Sequence, residues 1–310
     1  MRLSRAQGRS SNLEVLTEEC KIWIMSSTEA NSKEPSTQAE NVPVRGGQRL
    51  KGIIPKGGVD QPLVTVITAI YNGKPYIAGC LESVLRQDYP TIEHIVVDGG
   101  SNDGTVDVLR QYDDRIALWR SEPDHGVYDA WNKALLESNG EWICFLGVDD
   151  EFLPGAVSAY MTLASESPQA DYLCSRVKWV HSSGFERLIG SPWTWRKFSK
   201  SMCTAHVGSM HRRSLFERLG TYDTSYRMVA DYELLLRARD QLKTAFMPTT
   251  TALMRAGGVS GNRTALDEQA RAKLAAGGRS NVQVAVELYF AYAKFALRPL
   301  RYMLGRLRAR

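Results

Sequence analysis

The chain has 310 residues, 43 % of them hydrophobic and 24 % charged, and a net charge of +5. These proportions are ordinary for a globular protein, and the length suits one large α/β domain or one domain with flexible ends. Five scattered cysteines (Cys20, Cys80, Cys144, Cys174 and Cys203) with no C-x-x-C pair argue against a disulfide framework or a zinc site and for reduced thiols in a cytoplasmic protein. No run approaches the ~20 apolar residues that a membrane span needs, and the start lacks the apolar core of a secretory signal.

Residues 1–61 are rich in Ser, Glu, Gln, Asn and Gly and show little periodicity, so they are expected to be poorly ordered, apart from a short helix around Leu13 to Met25. The texture changes abruptly at Leu63, which also marks Met25 as an alternative start. Leu63 to Thr68 is β-rich and reads as a first strand. Asn72-Gly73 marks a turn, and Pro75 opens a helix with Ile77, Cys80, Leu81, Val84 and Leu85 at helical spacing. Ile92 to Val97 is a second strand, followed by a Gly-rich turn and a helix from Thr105 to Tyr112. Ile116 to Trp119 is a third strand and Val127 to Ser138 a third helix. Trp142 to Leu146 is a fourth strand, followed by a helix from Pro154 to about Ala164. This alternation predicts a Rossmann-like, mostly parallel sheet flanked by helices.

The second half is less regular. Tyr172 to Val180 reads as a strand, Ser214 to Leu219 and Tyr232 to Arg239 as helices, and Ala245 to Met254 as an edge strand. Trp193, Trp195 and Phe198 form an aromatic loop. This half is expected to cover the site and receive a second substrate.

Four predicted strand ends carry polar residues: Ala69-Ile70-Tyr71-Asn72, Asp98 on its glycine turn, Glu122 to Asp129 leading into Asn132-Lys133, and Asp149-Asp150. In an open parallel sheet all four lie along one edge, where such sheets bind ligands. Each alone is ordinary capping or turn chemistry; four in register are not. Asp149 and Asp150 also repel each other. A hard divalent cation, shared with the oxygens of a phosphorylated substrate, would offset that repulsion. An acidic turn that caps the next helix is the plainer alternative for this segment taken alone.

These motifs carry a resemblance. Val66-Ile67-Thr68-Ala69-Ile70-Tyr71-Asn72, Val97 to Thr105, Asp124 to Ala134 and Val148-Asp149-Asp150-Glu151 together resemble an inverting family 2 glycosyltransferase of the GT-A fold, over roughly Pro62 to Ser260. The subset that builds bacterial exopolysaccharide and colanic-acid-like repeat units is the most similar. The resemblance implies a glycosyltransferase that moves a sugar from a nucleotide-diphosphate donor, UDP being the common case, to a saccharide or lipid-linked acceptor hydroxyl. It implies that Ala69 and Tyr71 flank the base, with Tyr71 stacking on it, and that Asp98 accepts hydrogen bonds from it. Asp124 joins the donor contacts, Asp149 meets the ribose or the metal shell, Asp150 ligates Mg²⁺ or Mn²⁺, and Lys133 helps neutralise phosphate. Where many relatives carry an earlier acid in an Asp-x-Asp-Asp run, this chain has Gly147.

An acceptor hydroxyl also needs a base. In the family that base is an acid ahead of a helix in the second half, and Met228 to Arg237 matches the place. Asp231 is the expected base, with Glu233 behind it, and helix capping is the alternative role for Asp231. His206 stands where relatives carry a residue near the diphosphate or acceptor, although a lone His is more often structural. Arg255 to Ser260 resembles a loop that closes on the donor, or is a plain turn. Trp193 and Trp195 stack on sugar or anchor packing.

Residues 62–262 would thus form the transferase domain and 263–310 a helical basic segment. Lys294, Arg298, Arg301, Arg306, Arg308 and Arg310, interleaved with apolar residues and free of acids, suggest a basic amphipathic helix on the inner face of the plasma membrane. No nucleic-acid motif accompanies the charge, so no nucleic-acid partner is expected. Three other classes compete. A non-catalytic nucleotide- or glycan-binding module on the same fold is weakened by the joint presence of Asp98, Asp149, Asp150 and Asp231. A dinucleotide-dependent oxidoreductase needs G-x-G-x-x-G after the first strand, and Ala69 to Gly73 supplies none. A hydrolase would keep the carboxylates but release free sugar without an acceptor.

Overall fold

The computed structural model describes residues 43–256 and 263–297. The expected helix at Leu13 to Met25, the loop at Gly257 to Ser260 and the basic stretch from Arg298 to Arg310 lie outside the described residues.

Ten strands form one sheet. In chain order they are β1 (Val44–Gly46), β2 (Val64–Ile70), β3 (Ile92–Asp98), β4 (Leu118–Ser121), β5 (Trp142–Phe145), β6 (Glu151–Phe152), β7 (Tyr172–Val180), β8 (Glu186–Ile189), β9 (Ser209–Arg212) and β10 (Thr244–Arg255). Their order across the sheet is β1-β4-β3-β2-β5-β9-β7-β10-β6, with β8 paired to β7. β4, β3, β2 and β5 are parallel, as the alternation of elements predicts. β9 runs antiparallel to both β5 and β7 and joins the two halves of the sheet.

Both faces of the parallel strands are buried, which is why they read as continuous apolar runs. On one face Ile67, Ile95, Val97, Ile143 and Phe145 pack with α3 (Val127–Glu137), α6 (Arg213–Leu219) and α7 (Ala230–Ala238). On the other, Val64, Val66, Cys144 and Leu146 pack with α1 (Lys74–Leu85) and α4 (Ala156–Glu166). Ile70 and Val96 pack with α1 and α2 (Thr105–Gln111). The remaining helices are a single turn, α5 (Trp195–Phe198), and a pair, α8 (Arg263–Ala275) and α9 (Asn281–Ala296). Cys80, Cys144 and Cys174 are buried free thiols.

Two differences from the sequence reading are informative. Residues 43–51, placed in a poorly ordered extension, instead supply β1, antiparallel to β4, and a 3₁₀ turn at Gln48–Lys51. Three residues, Val44-Arg45-Gly46, at a sheet edge are too few to show an apolar period. Second, β10 is not an edge strand: it lies between β7, to which it is parallel, and the two-residue β6. Its register with β7 shifts between Phe246 and Thr250, where Pro248 removes a ladder donor.

Candidate active site

The register of the sheet brings the marked strand ends together. Ile70 is opposite Asp98, Asp98 is opposite Ser121, and Ile67 is opposite Phe145. The loops after β2, β3, β4 and β5 therefore share one edge. The first two are stitched by hydrogen bonds. Asn72 N–H donates to Ser101 Oγ at 2.7 Å, and Asn102 N–H donates to Asn72 Oδ1 at 3.1 Å. Asp103 accepts from the N–H groups of Lys74 and Thr105, each at 3.0 Å, which ties α1 to α2. Beyond this braced edge Tyr71 is 66 % exposed, so its ring is available for a planar ligand. Ala69, half-buried, precedes it on β2.

Asp98 stands at this edge, at the end of β3. Its carboxylate is fully buried and accepts from Gly100 N–H at 3.2 Å, Ser101 N–H at 3.0 Å, Ser121 Oγ at 2.6 Å and also Ser101 Oγ. Three of these donors meet Oδ2 and one meets Oδ1, so the carboxylate holds the β3 loop closed while Oδ1 keeps an acceptor site. Asp124 is its neighbour at this edge. Its Oδ1 accepts from Gly126 N–H at 2.8 Å, while Oδ2 lies 2.5 Å from where a Cβ at Gly99 would stand. Only a glycine leaves that oxygen open. Burial raises the Asp124 carboxyl above its usual range, and Asp129 and Asp98 add to the rise.

Lys133 is also committed. Its Nζ pairs with Glu122 and with Asp129, both at 3.1 Å, so this cation braces the β4–α3 loop instead of standing free for phosphate.

Asp149 and Asp150 turn back onto Gly147. A Cβ there would lie 2.7 Å from Asp150 Oδ2 and 3.2 Å from Asp149 Oδ1. Both carboxylates thus point into the space that a side chain at 147 would enter. Burial, and then the charge of Asp149, push the Asp150 carboxyl up to about 7, against a 3.0 Å hydrogen bond from Arg255 N–H. Two crowded carboxylates in a cradle that a Cβ would fill suit a hard divalent cation. Among the described residues no group of three metal-binding side chains exists, so the remaining ligands would be water and substrate oxygens. Arg255, at the end of β10, also pairs with Glu151 at 2.6 Å and is the cation beside the diacid.

Across the sheet edge, Asp231 lies in the first turn of α7 and is half-buried. Tyr128, in the first turn of α3, donates its hydroxyl to Asp231 Oδ1 at 3.1 Å. Burial pushes the Asp231 carboxyl up to about 6, opposed by hydrogen bonds from Tyr232 N–H and Tyr128. Burial and the charge of Asp231 keep the Tyr128 hydroxyl protonated, so it remains a donor. Glu233, the second expected base, is not available: Arg237 grips both of its oxygens, with Nε at 2.9 and 3.1 Å, and that guanidinium also donates to the Leu219 and Thr221 carbonyls. It anchors α7 to the loop before it.

His206 takes the structural role. It stacks on Trp131 with ring centroids 4.8 Å apart, bonds Tyr222 Oη at 3.2 Å, and is kept neutral by burial, which lowers its pKa to about 3. Trp193 and Trp195 are packed partly buried against the same core.

Tyr128 is the residue that sequence reasoning missed. Its place in Gly126-Val127-Tyr128-Asp129 was visible; its partner, 103 residues away, was not. Tyr128→Phe removes a bond that favours the ionised base, so the acid limb of the kcat/KM profile should move up from about pH 6, by roughly one unit. A profile that keeps its limb while activity falls would show that Tyr128 does not tune Asp231.

The profile of the family described as "Glycosyl transferase family 2" matches residues 65–257. The chain belongs to glycosyl transferase family 2. Among its relatives in that family is a PGL/p-HBAD biosynthesis glycosyltransferase of Mycobacterium bovis, 27 % identical over 254 residues, covering 77 % of this chain and 94 % of the relative. The fold is shared with Staphylococcus aureus TarS, whose 1–349 portion is solved with UDP-GlcNAc. That structure superposes with a TM-score of 0.57 at 19 % identity, covering 76 % of this chain and 72 % of that portion. The chain spans 43 % of the longer TarS chain. A mannosyltransferase of Pyrobaculum calidifontis, solved with GDP-Man and Mn²⁺, gives 0.52 at 20 % identity, with 84 % and 85 % covered. The sheet with its flanking helices is thus the GT-A fold of these glycosyltransferases, and the family 2 chain is a glycosyltransferase.

Proposed function

We propose that the protein transfers a sugar, with inversion, from a nucleoside-diphosphate donor, UDP-linked by first choice, to the hydroxyl of a saccharide or lipid-linked acceptor at the inner face of the plasma membrane, in polysaccharide or glycoconjugate assembly. The observation that carries this reading is the pairing, on one sheet edge, of a convergent diacid at Asp149-Asp150 with a half-buried, pKa-raised Asp231. Tyr71 offers its exposed ring to the base and Asp124 Oδ2 accepts from it. Asp149 and Asp150 would hold Mg²⁺ or Mn²⁺, which would supply Lewis-acid stabilisation of the departing diphosphate. Asp231 takes the acceptor hydroxyl proton as the acceptor oxygen bonds to the anomeric carbon. The bond from that carbon to the diphosphate breaks on the opposite face, and the nucleoside diphosphate leaves. Burial raises the Asp231 carboxyl to about 6, near the pH at which a base is most useful, which supports this role. The M. bovis relative's role in PGL/p-HBAD biosynthesis and the UDP-GlcNAc held by TarS support the substrate classes, and the Mn²⁺ held by the mannosyltransferase supports the metal.

A thermal-shift screen of UDP, GDP, dTDP and CMP, each with and without Mn²⁺, tests the reading. A ligand bound only by the folded state raises Tm by mass action. UDP is expected to raise it only when Mn²⁺ is present. A shift for another nucleotide would reassign the base, and none for any would leave a non-catalytic module on the same fold.

A further inference from the structure

We propose that the outward face of α9, with the cations around it, docks the enzyme on an anionic lipid bilayer, the helix lying in the membrane plane. α9 is capped by Ser280, which accepts from Gln283 N–H in a capping box, so its start is fixed. One side packs on α8. There Val284 is buried, Glu287 pairs with Lys273 at 3.1 Å and also with Arg279, and Tyr292 bonds Asp267 beneath the Arg263 guanidinium. The other side carries Val282, Val286, Tyr289, Phe290 and Leu297, each more than half exposed. Their spacing of three, four and seven residues makes one continuous stripe. An apolar stripe of that size on a helix surface marks an interaction site.

The charges identify the occupant. Glu287 is the only acid from residue 281 onward, and it is turned inward and paired. Lys294 is exposed beside the stripe. A further cavity is lined by the cations Arg196, Lys197 and Lys200 of the α5 segment. The α8–α9 turn neighbours that segment, since Trp195 and Ser199 share a second depression with Gly278 and Arg279. A second copy of the chain would set these cations against their like. Anionic headgroups would neutralise them while the stripe entered the interface. The described helix has 16 residues, about 24 Å long, and no helix among the described residues is long and apolar enough to cross a membrane. It can lie in the interface but not span it. The surface rests on the transfer reading for its purpose, delivery of the active site to a lipid-linked acceptor, though not for its geometry.

The test is co-sedimentation of the full chain with vesicles of phosphatidylcholine alone and of phosphatidylcholine mixed with phosphatidylglycerol, for wild type and Tyr289→Glu/Phe290→Glu. Both residues are exposed and Glu is a good helix former, so the fold is kept. The Mn²⁺-dependent UDP shift, unchanged in the variant, verifies this. Wild type should bind the anionic vesicles, and the variant should bind them roughly tenfold less well. No binding by wild type, or equal binding by both, overturns the proposal. So does a concentration-dependent dimer that the variant dissolves without any vesicle binding, since a second copy would then cover the face. Vesicle binding that the variant weakens, in a protein that shifts with no nucleotide, would sink the transfer reading and leave the membrane surface standing.

Discussion

Asp231→Asn is expected to leave nucleotide binding unchanged and to lower kcat by about 10²–10⁴-fold, the contribution of a positioned general base. The amide keeps the oxygen that accepts from Tyr128 at 3.1 Å and from Tyr232 N–H, so α7 and its packing should survive. What it removes is the proton acceptor. In wild type, turnover should fall as the pH drops through about 6, because a carboxyl raised to that value gains its proton there and loses its basicity. The raised pKa also makes a stability statement. The folded protein binds this proton more readily than the unfolded chain does, so the site favours folding below the unfolded carboxyl's pKa, and that advantage is lost as the pH rises through about 6. Asp231→Asn removes that loss, and above pH 6 the variant should melt no lower than wild type. Steady-state kinetics with a UDP shift as binding control decide the matter. A variant that turns over at near-wild-type rate would move the base elsewhere, and Glu233 is not its refuge while Arg237 holds both of its oxygens.

The fold was largely readable because its signal is local. The strands doubly covered by helices announce themselves as apolar runs, and the helices between them have clean 3.6-residue spacing. The strands that were not readable are held by their neighbours. β9 is Ser-Met-His-Arg, and only its place between β5 and β7 buries Ser209 and His211. β6 is two residues long. At the site, the sequence identified the residue types and the shared edge but not which oxygens were already in use. Asp98 and Lys133 look like free ligand contacts in a string of letters, whereas Ser101 and Ser121 engage Asp98 and Glu122 and Asp129 engage Lys133 in the fold. Partners brought together by the fold, such as Tyr128 with Asp231, lie beyond any local pattern.

Gly147 stands where a family's acidic run often has an earlier acid. Its absent Cβ would stand 2.7 Å from Asp150 Oδ2, so the two carboxylates of Asp149 and Asp150 occupy that space instead, and Arg255 N–H fixes Asp150 from the β10 side. On the proposed reading, Asp150→Asn should abolish the Mn²⁺ dependence of UDP binding and reduce turnover by at least about 10²-fold, since a metal held there would supply several kcal/mol of charge stabilisation to the departing diphosphate. The Asn side chain still accepts from Arg255 N–H. It also removes a charge that both burial and Asp149 oppose, so the metal-free variant should melt no lower than wild type at pH 8. That combination, a fold kept or strengthened with the metal response gone, is the signature of a site that holds like charges together for function. Isothermal titration of Mn²⁺ with UDP into both proteins reads it directly. An unchanged metal dependence in Asp150→Asn would place the cation on other oxygens, whereas loss of metal response together with a large fall in Tm would make Asp150 a structural acid.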